Sequence, residues 1–225
     1  MGFESLQISE PLKKALSSSV NSGRFPHAAI LEDEDSERLM DTAKTLAAAL
    51  VCSGDDKPCG RCINCLKARS DSHPDIKIFE PDPKTNNFKV ETVREIRSDA
   101  YIVANEADRK VYILKDAQNM LVPAQNALLK ELEEPPHFAF FILTSEKPDA
   151  LLQTVRSRCT RFALEPSGEE QAVSDDEATR LLAPYLTAVA GKREGSMMLA
   201  ALGMEKTPWR ALIGVMGVMQ AALRD

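Results

Sequence analysis

The sequence predicts an α/β domain built on a parallel β-sheet, followed by a small helical region. Three observations predict this. Short apolar runs alternate with helical patterns up to residue 165. The runs are apolar at most positions, as strands buried on both faces must be. The composition then turns acidic and polar at PSGEEQAVSDDEA (166–178), and no strand pattern returns after it. The expected division is therefore residues 1–165 and residues 166–225.

The elements follow in order. Residues 7–20 have a helical pattern, with Pro11 in the first turn and Leu12, Ala15 and Leu16 on the apolar side. NSGRFPHA (21–28) is a loop punctuated by Gly23 and Pro26. HAAIL (27–31) fits a buried strand, and Leu39, Ala43, Leu46, Ala47 and Leu50 line one side of a helix over 36–51. Ile76, Ile78 and Phe79 suggest a strand, 80–87 a loop, and 90–102 a helix. RKVYILKDA (109–117) reads as a strand and turn, and 122–134 as a helix stopped by Pro135 and Pro136. FAFFILTS (138–145) is a strand, 148–159 a short helical segment, and TRFALEP holds a last short strand. Residues 177–190 and 208–223 are helical in pattern.

Composition sets the class. Of 225 residues, 44% are hydrophobic and 28% charged, which is the balance of a globular protein rather than a disordered one. No apolar stretch approaches a membrane span and the N-terminus lacks a signal pattern, so a cytoplasmic protein without membrane contact is expected. A net charge of −6 argues against a free-standing, non-specific nucleic-acid binder.

A strand, a loop and a long helix at the start of such a sheet form the setting of a phosphate-binding loop, which needs GxxxxGK[ST]. Here the eight positions run Glu32, Asp33, Glu34, Asp35, Ser36, Glu37, Arg38 and Leu39. Glutamates stand at both glycine positions, arginine replaces lysine, and leucine replaces the magnesium-binding hydroxyl. Five carboxylates repel a polyanion. The same segment also reads as an acidic loop before a helix, with its carboxylates favoured by the helix dipole. On either reading, neither ATP nor Mg²⁺ is expected here. After VYIL, where a hydrolysing relative carries Asp-Glu, this chain has Lys115 and Asp116.

CSGDDKPCGRCINC (52–65) spaces Cys52, Cys59, Cys62 and Cys65 as C-x6-C-x2-C-x2-C. Four thiolates suit a closed structural Zn²⁺ site. Iron–sulfur ligation and free or disulfide-linked cysteines are the alternatives. Gly54 and Gly60 give the loop freedom to fold around an ion, and Lys57 and Arg61 offset the thiolate charge. His73 is taken as an ordinary loop residue, and Cys159 stands alone. In TVRSRC, Arg156 and Arg158 have two readings: pairing with a carboxylate on the chain's own surface, or reaching into a neighbouring subunit's ATP site.

The ordered set GRFPHA (23–28), CGRCINC (59–65), HPDI (73–76), RKVYILKDAQNM (109–120), AQNALLKELEEPP (124–136) and FFILTSEKPDALLQTVRSRC (140–159) resembles the DNA polymerase III clamp-loader family of the AAA+ superfamily. The resemblance covers roughly residues 10–165. It implies an AAA+ P-loop-like sheet with a degenerate P-loop and an inserted zinc knuckle, its zinc held by Cys52, Cys59, Cys62 and Cys65. It also implies a place in the delta-prime branch, which retains Ser157-Arg158-Cys159 and supplies Arg158 to the ATP of an adjacent gamma/tau subunit. Thr144 falls at the γ-phosphate-sensing position of active members. The implied partners are gamma/tau and delta subunits, with the sliding clamp and primed DNA. The C-terminal part departs from the family: the lid reads as shortened and the collar as partial. A divergent zinc-stapled interaction module and, less well matched, an active gamma/tau-type ATPase are the competing expectations. Lys13, Lys14, Arg24, Lys84, Lys89, Arg94 and Arg97 are candidates for a basic face toward DNA, or for solvated helix surfaces.

Overall fold

The computed structural model describes residues 2–165. The expected helices beyond residue 166, with the lid and collar, lie outside the described residues.

Five parallel strands form one sheet: β1 (Ala28–Glu32), β2 (Ile76–Phe79), β3 (Lys110–Leu114), β4 (Ala139–Ser145) and β5 (Thr160–Ala163), in the order β2-β3-β4-β1-β5. Six helices connect them: α1 (Glu10–Asn21), α2 (Ser36–Val51), α3 (Ile63–Arg69), α4 (Val90–Ala100), α5 (Val122–Glu133) and the single turn α6 (Gln153–Arg156). The expected α/β, AAA+-like architecture is borne out.

Strand alternation sorts the core into two layers. Ala29, Leu31, Val111, Ile113, Phe140 and Ile142 face α1 and α2 through Leu16, Val20, Leu39, Leu46 and Leu50. Ala28, Ile30, Tyr112, Leu114, Phe141 and Leu143 face α4, α5 and α6 through Val93, Ile96, Leu128, Leu132 and Val155. Both faces are covered, so the central strands are apolar at consecutive positions.

Three boundaries differ from expectation, each for a local reason. Helix α1 begins at Glu10 rather than residue 7, because the Ser9 N–H donates to Glu165 O at 2.8 Å and holds the chain extended. Helix α4 ends at Ala100 rather than 102. There the buried Lys110 ammonium donates to Asp99 O at 3.1 Å and Ile102 O at 3.2 Å, closing the helix end. The segment 148–159 splits into a 3₁₀ turn, Pro148–Ala150, and α6. The buried Gln125 amide fixes the break: its Oε1 accepts from Leu152 N–H at 2.7 Å and its Nε2 donates to Met120 O at 2.8 Å.

The turn entering β2 is tied by Asp75, which is 1% exposed. Its carboxylate accepts from the backbone N–H groups of Asn105 (2.6 Å), Glu106 (2.8 Å) and Ala107 (2.9 Å). Burial acts to raise its pKa, but these three donors outweigh burial and hold the carboxyl below its ordinary value. A depressed folded value gives stability that is complete above the ordinary carboxyl range and lost as pH falls through the folded value. Asp75→Ala is therefore expected to cost about 2 kcal/mol at neutral pH, with the gap to wild type shrinking below about pH 4. Urea unfolding of both chains across this range checks it. Metal loss at low pH is common to both chains and cancels in the comparison.

Candidate functional site

The C-terminal ends of β1 and β3 hold the residues expected at the phosphate and magnesium positions. Asp35 caps α2, its carboxylate accepting from Glu37 N–H at 3.0 Å and Arg38 N–H at 3.1 Å. Arg38 forms a fork with Asp33: Nε to Oδ2 at 2.5 Å and Nη2 to Oδ1 at 2.8 Å. The Asp33 side chain is only 6% exposed. Burial acts to raise its pKa, yet the Arg38 fork and the Asp35 N–H hold it low, while Asp33 raises Arg38 in return. The helix N-terminus and the cation at the lysine position thus already carry carboxylates of this chain. Glu32, at the first glycine position, pairs with Arg161 on β5, one N–O distance being 2.9 Å. Glu37 is exposed and Leu39 is buried in the core.

Lys115 reaches Glu80 at 3.1 Å. Asp116 is left-handed, with φ 53°, and its N–H donates to the buried Thr144 hydroxyl at 3.1 Å. Thr144 is therefore engaged in linking β3 to β4.

The four clustered cysteines converge at the C-terminal end of α2. Cys52 follows the helix, Cys59 lies in the loop, and Cys62 caps α3 and precedes Cys65 on it. All four Sγ atoms lie within 4.8 Å of one another, and Cys52 and Cys62 Sγ are 3.9 Å apart. A tetrahedral ion with 2.3 Å bonds to sulfur spans edges of about 3.8 Å, so the cage fits one ion. A four-iron cluster, in which each thiolate binds a different iron, needs a wider cage. The cysteines are free rather than disulfide-linked.

Backbone N–H groups point at the sulfurs: Gly54 and Cys59 to Cys52 Sγ at 3.3 and 3.4 Å, Cys62 to Cys59 Sγ at 3.4 Å, and Cys65 to Cys62 Sγ at 3.4 Å. At Cys62, burial opposes ionisation but the Cys65 and Ser53 N–H groups prevail and bring the thiol to about 5. Two glycines serve the cage differently. Gly60 has φ 69°, whereas a Cβ on Gly54 would stand 3.0 Å from both Cβ and Sγ of Cys59. The cluster can therefore coordinate a metal ion. Cys159 stands apart, and burial pushes its thiol up to about 12.

Arg158 follows α6, with its side chain 34% exposed. Its Nη2 lies 2.5 Å from Glu133 and its Nη1 donates to Thr154 O at 2.8 Å. Arg156 pairs with Asp149.

The expected basic residues do not share one face. Lys13 is buried and bonded to Glu10 at 2.8 Å, on the α1 side of the sheet. Arg94 and Arg97 lie on α4, across the sheet, and Arg97 reaches the buried Glu131 at 3.2 Å. Lys89 pairs with Asp82 at 2.6 Å. Among the described residues no helix is long and apolar enough to cross a membrane.

These features define a P-loop-type nucleotide-binding fold whose phosphate position is filled by its own side chains, with a four-cysteine knuckle appended. Residues 8–168 match the family described as DNA polymerase III, delta subunit. The chain belongs to that family of bacterial clamp-loader subunits, the delta-prime and gamma/tau group. The delta-prime subunit of Bacillus subtilis is 29% identical over 80% of this chain, and that of Escherichia coli 34% identical over 71%. The tau subunit of Bacillus subtilis is 30% identical over 87% of the chain. The chain spans 54% and 48% of the two delta-prime relatives and 36% of tau. In fold it is similar to a DNA polymerase III gamma subunit-related protein from Thermotoga maritima, with a TM-score of 0.51 and 24% identity, over 75% of this chain and 53% of that one.

Gly54→Ala is expected to weaken metal binding about tenfold or more by forcing Cys59 outward, Cys62→Ser to weaken it further, and Cys159→Ser to leave it unchanged. Competition against a chromogenic chelator measures all three.

Proposed function

We propose that this chain is a non-catalytic, delta-prime-type clamp-loader subunit that completes a neighbouring gamma/tau ATPase site. The observation that carries the reading is the Asp33–Arg38 fork beneath the Asp35-capped helix. An incoming triphosphate would have to displace carboxylates already bound to the arginine and the helix N-terminus. Lys115, where a magnesium-supporting carboxylate would stand, adds to this. The chain therefore binds neither ATP nor Mg²⁺ productively and has no ATPase activity of its own.

Arg158 is the residue it contributes. Its partner Glu133 is half exposed, and an exposed ion pair contributes only about 0–1 kcal/mol. That contact is readily exchanged for a neighbour's phosphoryl oxygens, where a guanidinium stabilises developing charge. Gamma/tau and delta subunits are the partners, and the work is loading of the sliding clamp on primed DNA with energy from the neighbour's ATP. Any contact of this chain with DNA is to the phosphate backbone. The knuckle holds Zn²⁺ in a closed, structural site; it pins an excursion with little core of its own. A cytoplasmic location, which keeps the thiols reduced, accompanies this reading. Residues 1–165 supply the nucleotide-binding fold.

The test is ATP hydrolysis by matched gamma/tau and delta subunits with clamp and primed DNA. The chain is expected to be inactive alone and to stimulate the mixture. Arg158→Ala should remove most of that stimulation, while Arg156→Ala retains it. Undiminished stimulation by Arg158→Ala would sink the role given to Arg158.

A further inference from the structure

Two of the four clustered cysteines stand beside residues that are tied to each other. Val51, the last residue of α2, precedes Cys52, and Asn64 precedes Cys65 on α3. The Asn64 side chain donates through Nδ2 to Val51 O at 2.8 Å. Both residues are buried, Asn64 at 6% exposure and Val51 at 3%.

A helix leaves its last four carbonyls without partners inside the helix. At the end of α2, Cys52 N–H returns to Ala49 O at 3.3 Å, and the Asn64 amide answers Val51 O. A carbonyl only accepts, so Asn64 must present its NH₂ there. Without that donor the Val51 carbonyl would be left buried and unpaired, at a cost in free energy.

The bond joins the two parts of the chain that the cage must bring together. Cys52 continues α2, whereas Cys62 caps α3 and Cys65 lies on it. The N–H contacts of Cys62 to Cys59 Sγ and of Cys65 to Cys62 Sγ stay within the knuckle and do not set its position on α2. An amide and a carbonyl keep the same charge whether the thiols are protonated, ionised or bound to an ion. The Asn64–Val51 bond is thus independent of the metal, and it lowers the cost of ordering the ligands when an ion binds.

We propose that Asn64 is a positioning residue of the metal cage: it docks α3 on the end of α2 through Val51 O and so brings Cys62 and Cys65 to Cys52, without being a ligand itself. This rests on the reading that the four cysteines hold a metal ion.

The test is competition of the full chain for Zn²⁺ against a chromogenic chelator, together with the visible spectrum of the chain saturated with Co²⁺. Asn64→Leu, close in size but without a donor, is expected to weaken Zn²⁺ binding about ten- to a hundredfold. Asn64→Ser, whose hydroxyl falls short of Val51 O, should weaken it similarly. Saturated with Co²⁺, both variants should give the four-thiolate spectrum of wild type, because Asn64 sets the cost of assembling the cage and not its ligands. Gln125→Leu removes another buried side-chain donor, the one to Met120 O at 2.8 Å outside the knuckle, and should leave Zn²⁺ affinity unchanged. The proposal is overturned if both Asn64 variants bind as tightly as wild type, if they lose no more affinity than Gln125→Leu, or if their Co²⁺ spectra lack a thiolate. A wild-type chain that binds neither ion overturns the metal reading itself, and this proposal with it.

Discussion

A parallel sheet covered on both faces leaves little room for a polar side chain in its central strands. Any polar group there must bring its own partners. The start of β3 shows how strictly this holds. Lys110 is 2% exposed, and its ammonium meets Asp99 Oδ2, Asp99 O and Ile102 O. The same carboxylate accepts from the Tyr112 hydroxyl at 2.7 Å and pairs with Lys77 at 2.8 Å. Burial tends to raise Asp99, but Lys77, Tyr112 and Lys110 together hold it ionised. One partly buried anion thus compensates two lysines, satisfies a tyrosine and fixes where α4 stops.

The same rule shapes the opposite, C-terminal ends of the strands. A phosphate-binding loop works because its glycines expose unpaired N–H groups to a multivalent anion. Here the anions are internal. Asp35 meets the α2 amides, Asp33 meets the arginine, and Glu32 meets Arg161 on the neighbouring strand. The electrostatic demand of the helix N-terminus is answered without a ligand. An acidic stretch that looks repulsive in sequence is, in the fold, a set of matched pairs.

Much of this was legible in the sequence because it rests on local pattern. Apolar runs marked the strands, the spacing of Cys52, Cys59, Cys62 and Cys65 marked the cage, and the residues at 32–39 marked an altered phosphate position. What stayed hidden depends on long-range register. Nothing near Glu32 announces Arg161, which is brought alongside only by β1–β5 pairing. Asp75 signals nothing by itself; its three donors lie some thirty positions on. His73 looked like an ordinary loop residue, because its burial follows from packing. The placement of the basic residues stayed hidden for a related reason: α1 and α4 cover opposite faces of the sheet, and Lys13 is turned inward.

Helix α2 begins at the Asp35 cap and ends at Cys52, so the altered phosphate position and the four-sulfur cage are the two ends of one sixteen-residue helix. At 1.5 Å rise per residue it is a rod of about 24 Å. Ten of its side chains are buried, so it is held in place as one unit along its length. A tilt of about 5° at its capped end carries the far end through about 2 Å. The cysteine knuckle thus stands at the far end of a rod whose near end lies where the fold's nucleotide would otherwise sit.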